Sequence, residues 1–331
     1  MTVVFVCLVL LVVLVNGWTD APNAIAGCIA CHALSPRRAL LLAGVCNFAG
    51  AIGMSLLNTE VARTLYGIAD FGMGGSTALT ALSSGILAVI LWAIAAWRFG
   101  IPTSEGHALI AGITGAALGQ GMSLDAIQTE EWRSVLLGLV LTVLPPLFLS
   151  ALLSRILNRI FSRADRRRTV SFFLWAQRIG AAASAFMHGA QDSQKLLGVF
   201  LLGLSLSGRE TADGEISLSA VALIASVMTV GTLLGGARII RKVGCGLTSL
   251  DAVGGSIADL SSSASLLLCS ALGVPASTTH AKTSAIMGVG LRGGGKLDLR
   301  ASGEIALAWL LTFPVCGALG FFFSYLFVGL L

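Results

Sequence analysis

Long apolar runs cut by short polar breaks dominate this chain. Runs at about 1–16, 38–57, 76–98, 132–155, 170–187, 216–237 and 302–328 approach or exceed the roughly 20 residues that a straight membrane-spanning helix needs. Shorter apolar pieces lie at about 21–34, 102–120, 195–206, 245–258, 260–273 and 276–291. Their length predicts broken helices, re-entrant segments or tilted spans. The runs are continuous rather than alternating, which excludes a β-barrel. The pattern predicts an all-α polytopic membrane protein with about 10–12 membrane elements.

Composition sharpens that picture. Of 331 residues, 56% are hydrophobic and 11% charged, and the mean hydropathy is +0.89. Soluble domains carry about 25% charged residues, so this chain cannot cover a water-facing surface. Forty glycines fit close helix packing in lipid. The seven cysteines are scattered through apolar runs and suggest no disulfide framework. Residues 1–15 are apolar without a basic start, so they read as a retained first membrane helix with its start outside the cytoplasm, not as a cleaved signal peptide.

The net charge of +5 is concentrated in short loops and reports topology; no nucleic-acid partner is expected. Arg155 to Thr169, with Arg159, Arg163, Arg166, Arg167 and Arg168, lies at the chain's midpoint and reads as a cytoplasmic connection. Arg37–Arg38 and Arg238, Arg241 and Lys242 repeat the signal more weakly, while 125–131 and 208–215 are polar and read as outside. This divides the chain into a first membrane repeat at 1–154, a basic linker at 155–169 and a second membrane repeat at 170–331.

The division matters because polar motifs recur across it. Ile101-Pro102-Thr103-Ser104-Glu105-Gly106-His107-Ala108 has a counterpart in Val274-Pro275-Ala276-Ser277-Thr278-Thr279-His280-Ala281, 173 residues later, and Gly115 and Gly288 extend the match. Thr19-Asp20 pairs with Gln191-Asp192 in nearly the same register. Doubled polar motifs in an apolar chain point to a transporter with its site between two structural repeats.

Asp20 and Asp192 are each expected at a helix break. A carboxylate at bilayer depth needs a partner, a proton or an ion, and unwound backbone supplies carbonyls for a cation. Asn23 and Gln191 add neutral oxygens. The alternative is a pair of interfacial helix caps. Pro102 and Pro275 suit the first turn of a helix. Thr103 and Ser104, and Ser277, Thr278 and Thr279, would then stand at helix N-termini whose free N–H groups favour an anion; ordinary serine-capped helices are the alternative.

Lys195 is spaced to share a helix face with Asp192, and Lys282 follows His280 in a small, apolar helix. Either lysine would neutralise a bound anion or a buried aspartate, or else snorkel to the headgroups. His107, His188 and His280 are candidates for gating or a proton relay, or for packing. Asp259, between apolar stretches, is a further ion or proton candidate. Cys28-Ile29-Ala30-Cys31-His32 fits a haem-attachment string, but no soluble haem domain surrounds it. The Gly293–Gly295 run is a loop and not a phosphate cradle.

Together these motifs make the chain similar to the inorganic phosphate transporter (PiT) family, which also includes bacterial sulfate permeases. Gly17-Trp18-Thr19-Asp20-Ala21-Pro22-Asn23 and Gly189-Ala190-Gln191-Asp192-Ser193-Gln194-Lys195 resemble its Gly-Ala-Asn-Asp-x-x-Asn motifs. Pro275 to His280 matches its Pro-x-Ser-Thr-x-His motif closely, and Pro102 to His107 more loosely. The resemblance implies two inverted repeats, phosphate held near Ser104, Ser277, Thr278 and Thr279, and coupling ions near Asp20, Asn23 and Asp192. Lys195 departs from the asparagine expected there, and Asn47 and Asp259 stand where relatives often have glutamate. The large central soluble insertion of animal members is missing, which suggests a bacterial cytoplasmic membrane.

The expected function is import of inorganic phosphate by secondary active transport, with protons or sodium as the symported ion. Sodium at Asp20, Asn23 and Asp192 is the metal to consider, and no other cofactor is expected. A sulfate permease is the nearest alternative. A passive anion channel is a different class, as are a phosphatase using His188 and Asp192 and a membrane scaffold. The partners are phosphate or sulfate, the coupling ion and the lipid bilayer, with a homo-oligomer left open.

Overall fold

The computed structural model describes residues 1–72, 75–163, 165–208, 217–292 and 297–330. Among these, thirteen α-helices follow one another: α1 (Thr2–Thr19), α2 (Pro22–Ala30), α3 (Pro36–Leu57), α4 (Glu60–Tyr66), α5 (Gly75–Phe99), α6 (Glu105–Gly119), α7 (Thr129–Phe161), α8 (Arg166–Leu206), α9 (Leu218–Leu234), α10 (Ala237–Cys245), α11 (Ala252–Ala271), α12 (Thr278–Arg292) and α13 (Leu299–Val328). Six continuous or nearly continuous apolar stretches are long enough to cross a membrane, and α9 with α10, bent by 73°, makes a seventh. The outward side chains are apolar, with Val45, Phe148, Leu152, Leu310 and Tyr325 all exposed, as a lipid-facing surface requires.

Inter-helix contacts fix the direction of each helix. Tyr66 Oη bonds Ser205 Oγ at 3.2 Å, so the ends of α4 and α8 share a face. Asn58 Nδ2 reaches Ser270 O at 3.2 Å, and Asp70 N reaches Ala126 O at 2.9 Å, which adds the end of α11 and the segment before α7. This face carries Glu60, Asp70, Asp125, Glu130 and Glu131, against Arg63 and Arg133, which pair with Glu60 and Glu130. At the other face Arg178 Nε bonds Ala33 O at 2.9 Å, and Asp298 N bonds Leu247 O at 2.9 Å. That face carries Arg37, Arg38, Arg155, Arg159, Arg167, Arg168, Arg238, Arg241, Lys242 and Arg300. Helix α1 therefore runs from the acidic to the basic face, and α8 runs the opposite way. Likewise 100–104 with α6 enters from the basic face, whereas 272–277 with α12 enters from the acidic face. The two repeats are inverted.

The repeats also exchange partners. Helix α6 packs on α13 and α12 on α7; α3 packs on α8 and α1 on α9. Matched glycines close these seams. A Cβ on Gly115 would lie 2.0 Å from Gly317 O, and one on Gly288 would lie 2.1 Å from Leu147 O. The motif glycines behave alike, with Gly17 against Met228 O and Gly189 against Asn47 O. Small residues let helices approach closely where lipid supplies no hydrophobic drive.

Three expectations need correction. The pieces 170–187 and 195–206 are one helix, α8, so Asp192 lies inside a continuous helix and not at a break. Its polar neighbours find partners without unwinding, as where Ser193 Oγ bonds Gly189 O at 2.5 Å. Second, the pieces 245–258 and 260–273 resolve into α11 over Ala252–Ala271, and 237–245 forms the separate α10. Third, Pro102 and Pro275 do not open their helices. They lie in extended lead-ins, and the helices start at Glu105 and Thr278. The basic connection is largely helical: α7 reaches Phe161 and α8 starts at Arg166. The Gly293–Gly295 run lies outside the described residues.

Candidate functional site

Helices α6 and α12 begin inside the protein and point their N-termini at one another. Ser104 Oγ accepts from His107 N at 3.2 Å, and Ser277 Oγ accepts from His280 N at 3.2 Å. The two caps are built alike because the two motifs are alike. Just inside each cap, the His107 and His280 rings meet edge to face with centroids 4.8 Å apart. The free N–H groups of two helix starts converge here, a setting that favours negative charge.

Carboxylates lie directly beside these starts. Helix α1 ends at Thr19 and α2 opens at Pro22, which leaves Asp20 at the break as expected. Asp20 Oδ1 accepts from Asn23 Nδ2 at 2.7 Å and from Thr279 Oγ1, while Asn23 Nδ2 also lies 2.9 Å from Thr279 Oγ1. Thr278 Oγ1 stands 3.5 Å from both Asp20 Oδ2 and Asp192 Oδ2. Asp192 Oδ2 also accepts from Asn16 Nδ2 at 3.2 Å and lies 3.3 Å from His188 Nε2. Asp20, His188 and Asp192 offer ligand atoms within 4.8 Å of one another. Every residue in this group is buried.

Lys195, one turn after Asp192, places Nζ 2.5 Å from Asp192 Oδ1 and 2.5 Å from Ala276 O. It is buried, so it does not snorkel. Gln191 ties the same lead-in down: its Oε1 accepts from Ala276 N at 3.1 Å and its Nε2 donates to Ser270 Oγ at 2.8 Å. Thr103 is buried in the other lead-in.

Lys282 and Asp259 belong to a second cluster. They form a buried ion pair between α12 and α11, with Gln177 Nε2 on Asp259 Oδ2 at 2.5 Å and Lys282 Nζ 3.2 Å from Ala24 O. Lys282 is therefore paired with a buried aspartate and is not placed at the two helix starts. It also borders a cavity of only ≈ 10 Å³ with Asn23, His188 and Thr278. A second cavity of ≈ 10 Å³ lies between Asn16, Glu105, Asp192 and Lys195. Each has room for about one water molecule, so the site is closed around its own side chains.

Sequence reasoning missed several members. Glu105 is buried and accepts from Thr19 Oγ1. Asn16 reaches Asp192, and Asn47 holds His188 Nδ1 at 3.2 Å while donating to Thr232 Oγ1 at 2.9 Å. The signal for Glu105 was present, since an acid inside an apolar half-helix requires a reason. All seven cysteines are free; Cys28 is buried in α2, away from any second metal-binding set among the described residues.

A family model described as the phosphate transporter family matches residues 16–320. The chain belongs to the phosphate transporter family. It is 30% identical over 97% of its length to a probable low-affinity inorganic phosphate transporter of Bacillus subtilis, of which the match covers 95%. A protein of the same description from Mycobacterium bovis is 33% identical over 93% of this chain and 73% of its own length. A solved structure titled the sodium-dependent phosphate transporter superposes with a TM-score of 0.83 at 21% identity, covering 100% of this chain and 99% of that one. At that identity the likeness establishes a shared fold. Within this family member, both doubled motifs converge on one buried site.

Proposed function

We propose that this protein is a secondary active transporter that imports inorganic phosphate, coupled to protons or sodium. One observation carries the reading: two inverted half-helices meet N-terminus to N-terminus, and buried Asp20 and Asp192 adjoin them. The anion is bound at the helix starts by backbone N–H groups and by Thr103, Ser104, Ser277, Thr278 and Thr279. Ser104 and Ser277 use their oxygen to cap, which leaves each hydroxyl proton free to donate to an oxyanion. The coupling cation is bound by Asp20 and Asn23, with Asp192 close by. Anion and cation each neutralise the other's burial cost, so both load together. Alternating access is then movement of one inverted repeat against the other around the shared site.

The probable low-affinity phosphate transporters among the relatives support phosphate as the substrate. A basic face in contact with the cytoplasm follows the positive-inside rule. It orients the repeats at 1–154 and 170–331 with the basic 155–169 connection inside, in a bacterial cytoplasmic membrane. Purified protein in liposomes, given radiolabelled phosphate or sulfate under separate sodium and proton gradients, tests this reading. Gradient-driven accumulation of phosphate is expected. Sulfate accumulation without phosphate uptake would assign a sulfate permease, and equilibration without accumulation would assign a passive anion channel.

A further inference from the structure

The two halves of the site treat their carboxylates differently. Three residues after Asp20 stands Asn23, a neutral amide; three residues after Asp192 stands Lys195, an ammonium. Lys195 Nζ lies 2.5 Å from one carboxylate oxygen and 2.5 Å from one backbone carbonyl, Ala276 O, in the extended lead-in to α12. A carboxylate with carbonyls of unwound backbone is the ligand set that broken transporter helices offer to a monovalent cation.

Residues of the first half leave unpartnered oxygens around both aspartates. Asn16 Oδ1, Asn23 Oδ1 and Glu105 Oε2 are buried oxygens without a hydrogen-bond partner among the described residues. All three residues are more than nine-tenths buried. Asn16 and Glu105 face one ≈ 10 Å³ cavity that Asp192 and Lys195 also border, while Asn23, bonded to Asp20, borders a separate one. Orphaned buried oxygens are costly unless a donor or a cation satisfies them. The chain also makes space for the lysine in advance: a Cβ on Gly106 would lie 3.0 Å from Lys195 Nζ and 3.2 Å from its Cδ. The ammonium is thus seated in a fitted slot between α6 and the α12 lead-in.

We infer that Lys195 is a resident cation: its ammonium permanently fills the Asp192 half-site, leaving only the Asp20 half-site to bind an exchangeable monovalent cation. This rests on the reading of the protein as a cation-coupled phosphate transporter and fixes a term in its stoichiometry. A tethered charge cannot be released on the far side, so this half-site contributes to anion binding but moves no cation. The protein therefore couples through one fewer cation than two equivalent half-sites would provide.

The test is the cation order of phosphate uptake in liposomes, with the charge carried per phosphate read from the reversal potential. Sodium and protons are varied separately. Wild type should show first-order dependence on the coupling cation. Lys195→Asn should raise the order to second and add one positive charge per phosphate, and Lys195→Arg should keep the wild-type order. Second-order dependence in wild type overturns the inference whatever the variants do, so the test survives a variant that does not fold. Lys195→Asn with unchanged order and only a raised KM for phosphate also overturns it, making Lys195 a direct anion ligand. Absence of phosphate uptake by wild type instead overturns the transporter reading on which the inference stands.

Discussion

His107 and His280 occupy equivalent places in the two inverted repeats, and their rings meet edge to face at 4.8 Å. Phe313 stacks on His107 at 4.9 Å and Trp309 lies 4.0 Å from His280, so one helix, α13, braces both rings. No ring nitrogen of either histidine has a hydrogen-bond partner among the described residues. The pair therefore couples the half-helix starts through ring contact. Leucine at either position removes the ring contact, and the double variant should depart from the sum of the singles by about 0.5–1.5 kcal/mol. Thermal unfolding in detergent across the four proteins measures this. Strict additivity would remove the coupling and return the histidines to separate roles.

Asp20→Asn should remove gradient-driven accumulation while leaving folded protein in the membrane. The carboxylate accepts from Thr279, Asn23 and, at longer range, Thr278. Asparagine keeps one accepting oxygen but no charge, so the proposed coupling cation loses its anionic ligand and uptake should fall by roughly 10-fold or more. Fluorescence-detected size exclusion checks folding, and tracer uptake checks function. Full accumulation in the variant would take Asp20 out of the coupling site.

The doubled motifs were legible in the sequence because their spacing survives in the chain itself. Asp192 and Lys195 were assigned to one face by helical spacing, and the ion pair between them follows from it. What local pattern could not supply was anything that joins distant segments. The Lys282–Asp259 pair, the bond from Thr19 to Glu105 and the packing of α6 on α13 each link residues far apart in sequence. The expected break at Asp192 failed for a related reason. Polar residues suggest unwinding only if they lack partners, and here Asn16, His188 and Lys195 supply them from neighbouring helices and turns.

The Lys282–Asp259 pair makes a sharp prediction about stability. Removing one partner, as in Lys282→Met, leaves a buried charge uncompensated and should cost about 3–5 kcal/mol. Lys282→Met combined with Asp259→Leu should recover most of that loss, since an apolar pair of similar volume is often neutral. Melting temperature for the two singles and the double decides it. A double variant no better than the singles would mean that Gln177 and Ala24, which also contact the pair, dominate its energetics.

Helix approach at the α3–α8 seam is testable with one methyl group. Gly189→Ala would bring a Cβ to 2.0 Å from Asn47 O, so α3 has to move. Overpacking of this kind costs about 1–3 kcal/mol. Because Asn47 Oδ1 also meets His188 Nδ1 at 3.2 Å, uptake should fall with stability. Gly303→Ala is the control: it is helical and meets nothing within 4 Å, so it should be neutral or slightly stabilising. Equal behaviour of the two variants would show that the seam tolerates separation.

Ser277 separates capping from anion binding. Its Oγ accepts from His280 N at 3.2 Å, and its hydroxyl proton has no acceptor among the described residues. Ser277→Ala removes both functions: about 1 kcal/mol of helix capping and one donor to the bound oxyanion, for a rise in phosphate KM on the order of 10-fold. Ser277→Thr retains a capping oxygen and a donor and should restore both. Uptake kinetics and melting temperature, measured together, separate the two. If Ser277→Ala lowers stability and leaves KM unchanged, the hydroxyl only caps α12, and the anion is held there by the backbone and its remaining neighbours. Ser104 opens α6 in the same way, with Oγ 3.2 Å from His107 N. The same series there should give the same pattern if the anion binds as proposed, because the inverted halves present equivalent caps.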